Sequence, residues 1–212
     1  MRIGLFGGTF NPIHMGHLAL AENVADSFEL DRMIFVPSKV PPHKTEGVIA
    51  PELRLRMVEL VAAGLGDRFV VSDFEIHEEG VSFTLKTLRH FRDEYPEDAI
   101  FFACGTDIFA SIGGWYESEA LFDYVNFIVV SRSTMSFEEL LKRIPQTLLD
   151  RVVDAGEYKD EKSGKIILYR MPEVDISSTE IRSILEESYR KANLPDGVYE
   201  YIAENGLYRG NE

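Results

Sequence analysis

The stretch MRIGLFGGTFNPIHMGHLAL sets two glycines, Gly7 and Gly8, after a short apolar run and two histidines, His14 and His17, soon behind them. Glycines between a strand and a helix let main-chain N–H groups face an anion, with a helix N-terminus behind. Imidazoles three residues apart share one face of a helical turn. Gly16 between them removes a side chain where a ligand or a neighbouring backbone can come close. Phosphate binding is the chemistry this pattern supports best. A zinc pair and two capping or core histidines are the other readings, and zinc needs further ligands that no nearby Cys or H-x-x-E-H element supplies. Counting excludes two common phosphate fingerprints. The stretch has no lysine for a Walker loop, and glycines at 4, 7 and 8 do not make G-x-G-x-x-G.

Those residues need elements to hold them. Apolar runs predict strands over 3–6, 32–36, 69–76, 99–103, 125–130 and 166–170. Helical spacing predicts helices over 17–28, 51–65, 82–95, 136–144, 178–187 and 196–205, with a short helix closing at 121–124. Ser136 reads as an N-cap and Gly206 as a C-terminal stop. Strands that alternate with helices predict an α/β fold, a parallel sheet covered on both faces. Residues 38–50 (SKVPPHKTEGVIA) hold too many breakers for regular structure, and so long a loop is usually functional. Residues 155–165 read as a solvated turn. Cys104, in FFACG, reads as a small buried hydrophobe.

A chain of 212 residues with 45% hydrophobic content suits one domain with a proper core. No apolar stretch reaches the roughly 18 residues of a membrane span. The single cysteine and the lack of a leader pattern predict a cytoplasmic protein without disulfides. A net charge of −14 argues against nucleic-acid binding, which needs a basic footprint. An anionic ligand would then require cations gathered in one cleft. His14, His17, Lys39, His43, Lys44, Arg132 and Arg182 all fall at the expected C-terminal ends of strands or at the helix starts that follow, which is the ligand edge of a doubly wound sheet.

Gly7-Gly8-Thr9-Phe10 followed by His14-Met15-Gly16-His17 resembles the opening of the nucleotidylyltransferase superfamily, with its H-x-G-H motif. Far downstream, Ile176-Ser177-Ser178-Thr179-Glu180-Ile181-Arg182 resembles that superfamily's I-S-S-T-x-I-R. Within it the chain is similar to the bacterial nicotinate-nucleotide adenylyltransferases. Pro41-Pro42-His43-Lys44, Ser82-Phe83-Thr84-Leu85-Lys86-Thr87-Leu88, Gly105-Thr106-Asp107, Trp115-Tyr116 and the ending Gly206-Leu207-Tyr208 all match their pattern, so the resemblance spans essentially the whole chain. One departure is Asn11, where many members carry Asp. It loses a charge beside the phosphate site, with no change of reaction expected.

The resemblance implies a Rossmann-like doubly wound, mostly parallel sheet over residues 1–175, with a small C-terminal helical part, 176–212, that carries the second motif. It implies transfer of adenylate from ATP to nicotinate mononucleotide, with Mg²⁺ carried on the ATP. Gly7, Gly8, Thr9 and Phe10 would cradle phosphate. His14, His17 and Arg182 would stabilise the reacting phosphates, Ser178 and Thr179 would bind ATP beside Arg182, and Gly105 and Asp107 would face its ribose. Lys39, His43, Lys44 and Arg132 would serve the mononucleotide, with His43 and Lys44 closing over phosphate. Thr84 and Tyr116 would offer main-chain N–H groups to the nicotinate carboxylate, and Trp115 would stack on the pyridine ring. Asp107 or Ser178 as helix caps, 43–44 as a solvated loop and Trp115 as a core aromatic are the plainer readings. Nicotinamide mononucleotide, another phosphate acceptor of the phosphopantetheine type, and a non-catalytic nucleotide sensor remain as alternatives, and a homo-oligomer stays open.

Overall fold

The structure is a computed structural model that describes residues 1–40, 47–131, 135–172, 176–188 and 193–209. The apolar runs form strands β1 (Arg2–Gly8), β2 (Arg32–Pro37), β3 (Phe69–Val71), β4 (Ala99–Gly105), β5 (Asn126–Val130), β6 (Val152–Asp154) and β7 (Ile166–Tyr169). They join one sheet in the order β3-β2-β1-β4-β5-β7-β6. Every pairing is parallel, so the sheet goes beyond the mostly parallel expectation. Strands buried on both faces explain the unbroken apolar runs.

Side chains alternate between two core layers. Phe6, Met33, Phe35, Phe101, Ala103, Ile128, Val130 and Ile167 face one layer. That layer is covered by α1 (Met15–Ser27), α2 (Pro51–Leu65), α7 (Ser178–Ser188) and α8 (Asp196–Glu204). Ile3, Leu5, Ile34, Val36, Phe102, Cys104, Phe127 and Leu168 face the other. There α4 (Thr84–Glu94), α5 (Thr106–Phe109) and α6 (Phe137–Arg143) pack, and the four-residue α3 (Phe74–His77) lies near β2. Ile181, Leu185, Val198 and Ile202 of the C-terminal helices are buried in the same layer as α1 and α2. Cys104 is buried, as its flanks predict.

The strand expected over 69–76 stops at Val71. Ser72 Oγ accepts the Phe74 N–H at 3.2 Å, and the chain turns into α3. Local side-chain acceptors compete with the sheet there. The edge strand β6 was not expected; three residues are too few to show a period. The helix expected to close at 121–124 is a 3₁₀ segment, Ser118–Asp123. Residues 155–165 are a solvent-exposed to half-buried turn, as expected, and are pinned from Asn126, which donates to Glu161 O at 2.7 Å and accepts the Lys165 N–H at 3.0 Å. Ser136 caps α6 with Glu139 as expected, and Gly206 ends α8 at φ 61°. Among the described residues no helix is long and apolar enough to cross a membrane.

After β1 the chain adds β2 and β3 on one side and then crosses to β4 on the other. The C-terminal ends of β1 and β4 therefore flank the crevice where a doubly wound sheet takes its ligands. The turns at Gly8 and Gly105 lie on that edge.

Candidate active site

The β1–α1 turn is shaped by its neighbours. A Cβ on Gly8 would meet the Phe10 ring at 3.0 Å, and one on Gly7 would meet Phe102 at the same distance. Phe10 itself takes a left-handed conformation (φ 47°) that sends its ring edge-on toward Phe6, His17 and Phe35. Thr9 follows Gly8 at the sheet edge. The glycines thus make room for aromatic side chains beneath the turn, and the close approach foreseen at Gly16 is made by His14, whose Nδ1 would lie 3.1 Å from an added Cβ.

His14 is the N-cap of α1, one residue outside the helix, with extended backbone (φ −148°, ψ 171°). Its main-chain N–H donates to Nδ1 of His17 at 3.2 Å. The two rings stack with centroids 3.7 Å apart. His14 is 2% exposed while His17 is only half-buried, so a ligand reaches His17 more readily in this conformation.

The second motif arrives on the same turn. Ser177 Oγ accepts the Glu180 N–H at 3.1 Å and so caps the start of α7. Ser178, freed from capping, donates to Pro12 O at 3.1 Å. Arg182 donates to Asn11 O at 2.8 Å and to Thr179 Oγ1 at 3.2 Å. Two stretches at opposite ends of the chain thereby become one surface. Across the crevice Gly105, not Asp107, is the N-cap of α5, and Asp107 stands in its first turn at the end of β4.

Asn11 and Arg54 tie this surface together. Asn11 is buried, with its Nδ2 on Gly47 O at 2.8 Å and its Oδ1 accepting from Ile49 N (3.3 Å) and Tyr208 OH (2.8 Å). Arg54 is completely buried and donates to the carbonyls of Thr9 (2.7 Å), Lys39 (3.0 Å) and Ile49 (3.1 Å). Burial lowers the Arg54 pKa from its ordinary value, with weaker opposition from Tyr208, Glu52 and Glu75. Sequence reading missed Arg54. Its signal was an arginine on the α2 stripe of Met57, Val58 and Val61, all buried.

A second group gathers at the start of α4. Thr84 is the first residue of that helix, whose opening N–H groups have no acceptor inside it. The Phe83 ring lies 4.9 Å from the Tyr116 ring, which is 53% exposed. Trp115 is half-buried, donates to Ser111 Oγ at 2.8 Å and meets Phe102 and Phe127 edge-on. It is thus partly a core aromatic. The two groups are linked through the end of β2. Ser38 N donates to Gly8 O at 2.9 Å, and Lys39 N donates to Ser82 Oγ at 3.1 Å. The Lys39 ammonium is turned to Glu78 O at 2.7 Å. Beneath, Glu75 accepts from Thr87, and burial raises its pKa from the ordinary value against bonds from Thr87 and Ser82. His43, Lys44 and Arg132 lie outside the described residues.

The surface offers main-chain donors, two imidazoles and a guanidinium on one edge of an acidic chain, which suits a polyanion. Among the described residues no three His, Cys, Asp or Glu side chains converge as metal ligands would.

A family model described as cytidylyltransferase-like matches residues 5–184. A protein of Carboxydothermus hydrogenoformans named "Probable nicotinate-nucleotide adenylyltransferase" is 37% identical over 209 residues, covering 98% of each chain. One of the same name from Geobacter metallireducens is 40% identical over 215 residues, again covering 98% of both. Among solved structures, the nicotinic acid mononucleotide adenylyltransferase of Plasmodium falciparum, complexed with NaAD, superposes with a TM-score of 0.75 at 21% identity. That match covers 98% of this chain and 97% of the other. At that identity it supports the fold: a Rossmann-like α/β sheet.

Proposed function

The chain belongs to the cytidylyltransferase-like family, and within it to the nicotinate-nucleotide adenylyltransferases; on that premise we propose that it transfers adenylate from ATP to nicotinate mononucleotide, releasing pyrophosphate and nicotinate adenine dinucleotide. The observation that carries this reading is the meeting of the two motifs, with Arg182 on Asn11 O and Ser178 on Pro12 O beside the stacked histidines.

A phosphate oxygen of the mononucleotide attacks the α-phosphorus of ATP, and the bond to the β,γ-pyrophosphate breaks. With a second phosphate pKa of about 6, the nucleophile is largely deprotonated at neutral pH. No general base is needed, and rate enhancement comes from positioning and from stabilising charge on the transferred and departing groups. The Gly8–Phe10 main chain and the α1 start receive phosphate. His17, with His14 behind it, donates to the α- and β-phosphates. Arg182, with Ser178 and Thr179, holds the β,γ-phosphates through the N–H groups that Asn11 O leaves available. Asp107, past Gly105, accepts from the ribose hydroxyls. ATP enters as its Mg²⁺ complex, the ion riding on the phosphates.

Thr84 and Tyr116 offer N–H groups to the nicotinate carboxylate, and the half-buried Trp115 stacks on the pyridine ring. Lys39, His43, Lys44 and Arg132 complete the mononucleotide side. The test is pyrophosphate release from Mg-ATP with nicotinate or nicotinamide mononucleotide. Release with the nicotinate form, at a higher kcat/KM than with the amide, is expected; no release with either would overturn the reading.

A further inference from the structure

We propose that Tyr208, close to the C-terminus, is a positioning residue for this reaction, acting through Asn11 on the turn where His14, His17 and Arg182 meet. The inference rests on the function proposed above.

Asn11 is 4% exposed, and both ends of its carboxamide are engaged. Oδ1 accepts from Tyr208 OH at 2.8 Å and from Ile49 N at 3.3 Å, while Nδ2 donates to Gly47 O at 2.8 Å. Only one orientation of the amide satisfies these three partners. A flip would set NH₂ against the Ile49 N–H and the oxygen against the Gly47 carbonyl. The main-chain carbonyl of the same residue accepts Arg182 at 2.8 Å. Asn11 thus stands between a group assigned to the ATP phosphates and two distant segments.

Tyr208 supplies the shorter of the two bonds that Oδ1 accepts, and so holds in place the amide that Ile49 and Gly47 orient. The turn that ends α8, with Gly206 and Tyr208 itself at positive φ, brings the phenol back over the sheet edge. Burial raises the Tyr208 pKa, against the influence of Arg182 and Arg54, so the hydroxyl keeps its proton and stays a donor. An aspartate at position 11 could accept from Tyr208 but would set an oxygen against Gly47 O. The asparagine that departs from the family's motif is therefore the residue this arrangement requires.

The test compares wild type with Tyr208→Phe, Asn11→Ala, Asn11→Asp and the double variant Tyr208→Phe/Asn11→Ala. It measures kcat and KM by pyrophosphate release, thermal midpoints, and amide exchange at Ile49. Tyr208→Phe removes one oxygen and keeps the ring. It should lower kcat about five- to twentyfold, the size of one lost bond near a charged group. Ile49 exchange should quicken, the fold should persist, and Asn11→Asp should lose more. The double variant should match Asn11→Ala alone, because the two residues act in series. Wild-type kinetics in Tyr208→Phe, or additive losses in the double variant, would overturn the proposal. An inactive wild type would instead remove the functional reading, and with it any role of Tyr208 in that reaction. Ile49 exchange would still report whether Tyr208 holds Asn11.

Discussion

The main-chain N–H of His14 donates to Nδ1 of His17, 3.2 Å away, and so fixes which imidazole nitrogen faces outward. A neutral imidazole that accepts at Nδ1 carries its proton on Nε2. His17 is thus presented as a donor, which is what a developing negative charge on phosphate needs and what a proton-abstracting base is not. His17→Ala should lower kcat on the order of 10²-fold or more, in line with the loss of one preorganised donor. His17→Gln, which carries an N–H near the Nε2 position, should recover part of it. Pyrophosphate release, with circular dichroism to check the fold, decides; near-normal turnover in the alanine variant would remove His17 from the chemistry.

Arg54 carries a buried charge whose hydrogen bonds go to three main-chain carbonyls. Its fork joins the turn after β1 to the chain on both sides of residues 40–48. Arg54→Met leaves those carbonyls short of a donor and should cost on the order of 3 kcal/mol in urea unfolding. Arg54→Lys keeps the charge but cannot serve three acceptors spread over a fork, so its stability should lie between the two. Equal stability of all three proteins would show that the carbonyls find other donors.

What the sequence made legible follows from how local each signal is. The unbroken apolar runs announced buried parallel strands, because no face of such a strand needs polar residues. The first motif pointed to an anion site because its residue types and spacing match what phosphate requires, and only the family resemblance joined Ser178 and Arg182 to that site. The long-range polar contacts were not legible. Nothing in the residues around Asn11 says that Tyr208 lies against it, and Ser177 and Ser178 are interchangeable until the helix start decides which one caps. Arg54 sat on an apolar stripe and was passed over, because helical periodicity rewards hydrophobic positions and ignores one cation among them. The end of β3 was misjudged since Ser72 and Asp73 interrupt a run that otherwise alternates well.

Glu75 yields a pH dependence of stability. Burial is the largest influence on it and raises its pKa above the ordinary 4.5, with bonds from Thr87 and Ser82 opposing. A carboxyl whose folded pKa is raised leaves stability whole below the unfolded pKa and erodes it as pH climbs through the folded one. Glu75→Gln keeps an acceptor for Thr87 and removes that loss. Urea unfolding at pH 4.5 and at pH 8 should show the variant gaining on wild type as pH rises. A variant that gains nothing on wild type between the two pH values, or loses ground, would mean that Glu75 is better compensated by Arg54 and its hydroxyl partners than its burial implies.

Trp115 tests the assignment of the two substrate sides. Its ring meets Phe102 and Phe127 at steep angles, and Nε1 is held by Ser111, so the indole is fixed before any ligand arrives. A fixed aromatic plane loses little freedom on stacking, which makes it a good platform for a flat pyridine ring. Trp115→Ala should raise KM for nicotinate mononucleotide about tenfold or more and change KM for ATP little. Trp115→Phe, which keeps a plane but loses the Ser111 anchor, should fall between. Thermal melts separate the outcomes. A variant that loses stability and weakens both substrates equally would make Trp115 a core aromatic, while a selective rise in the mononucleotide KM at unchanged stability would assign its ring to the pyridine.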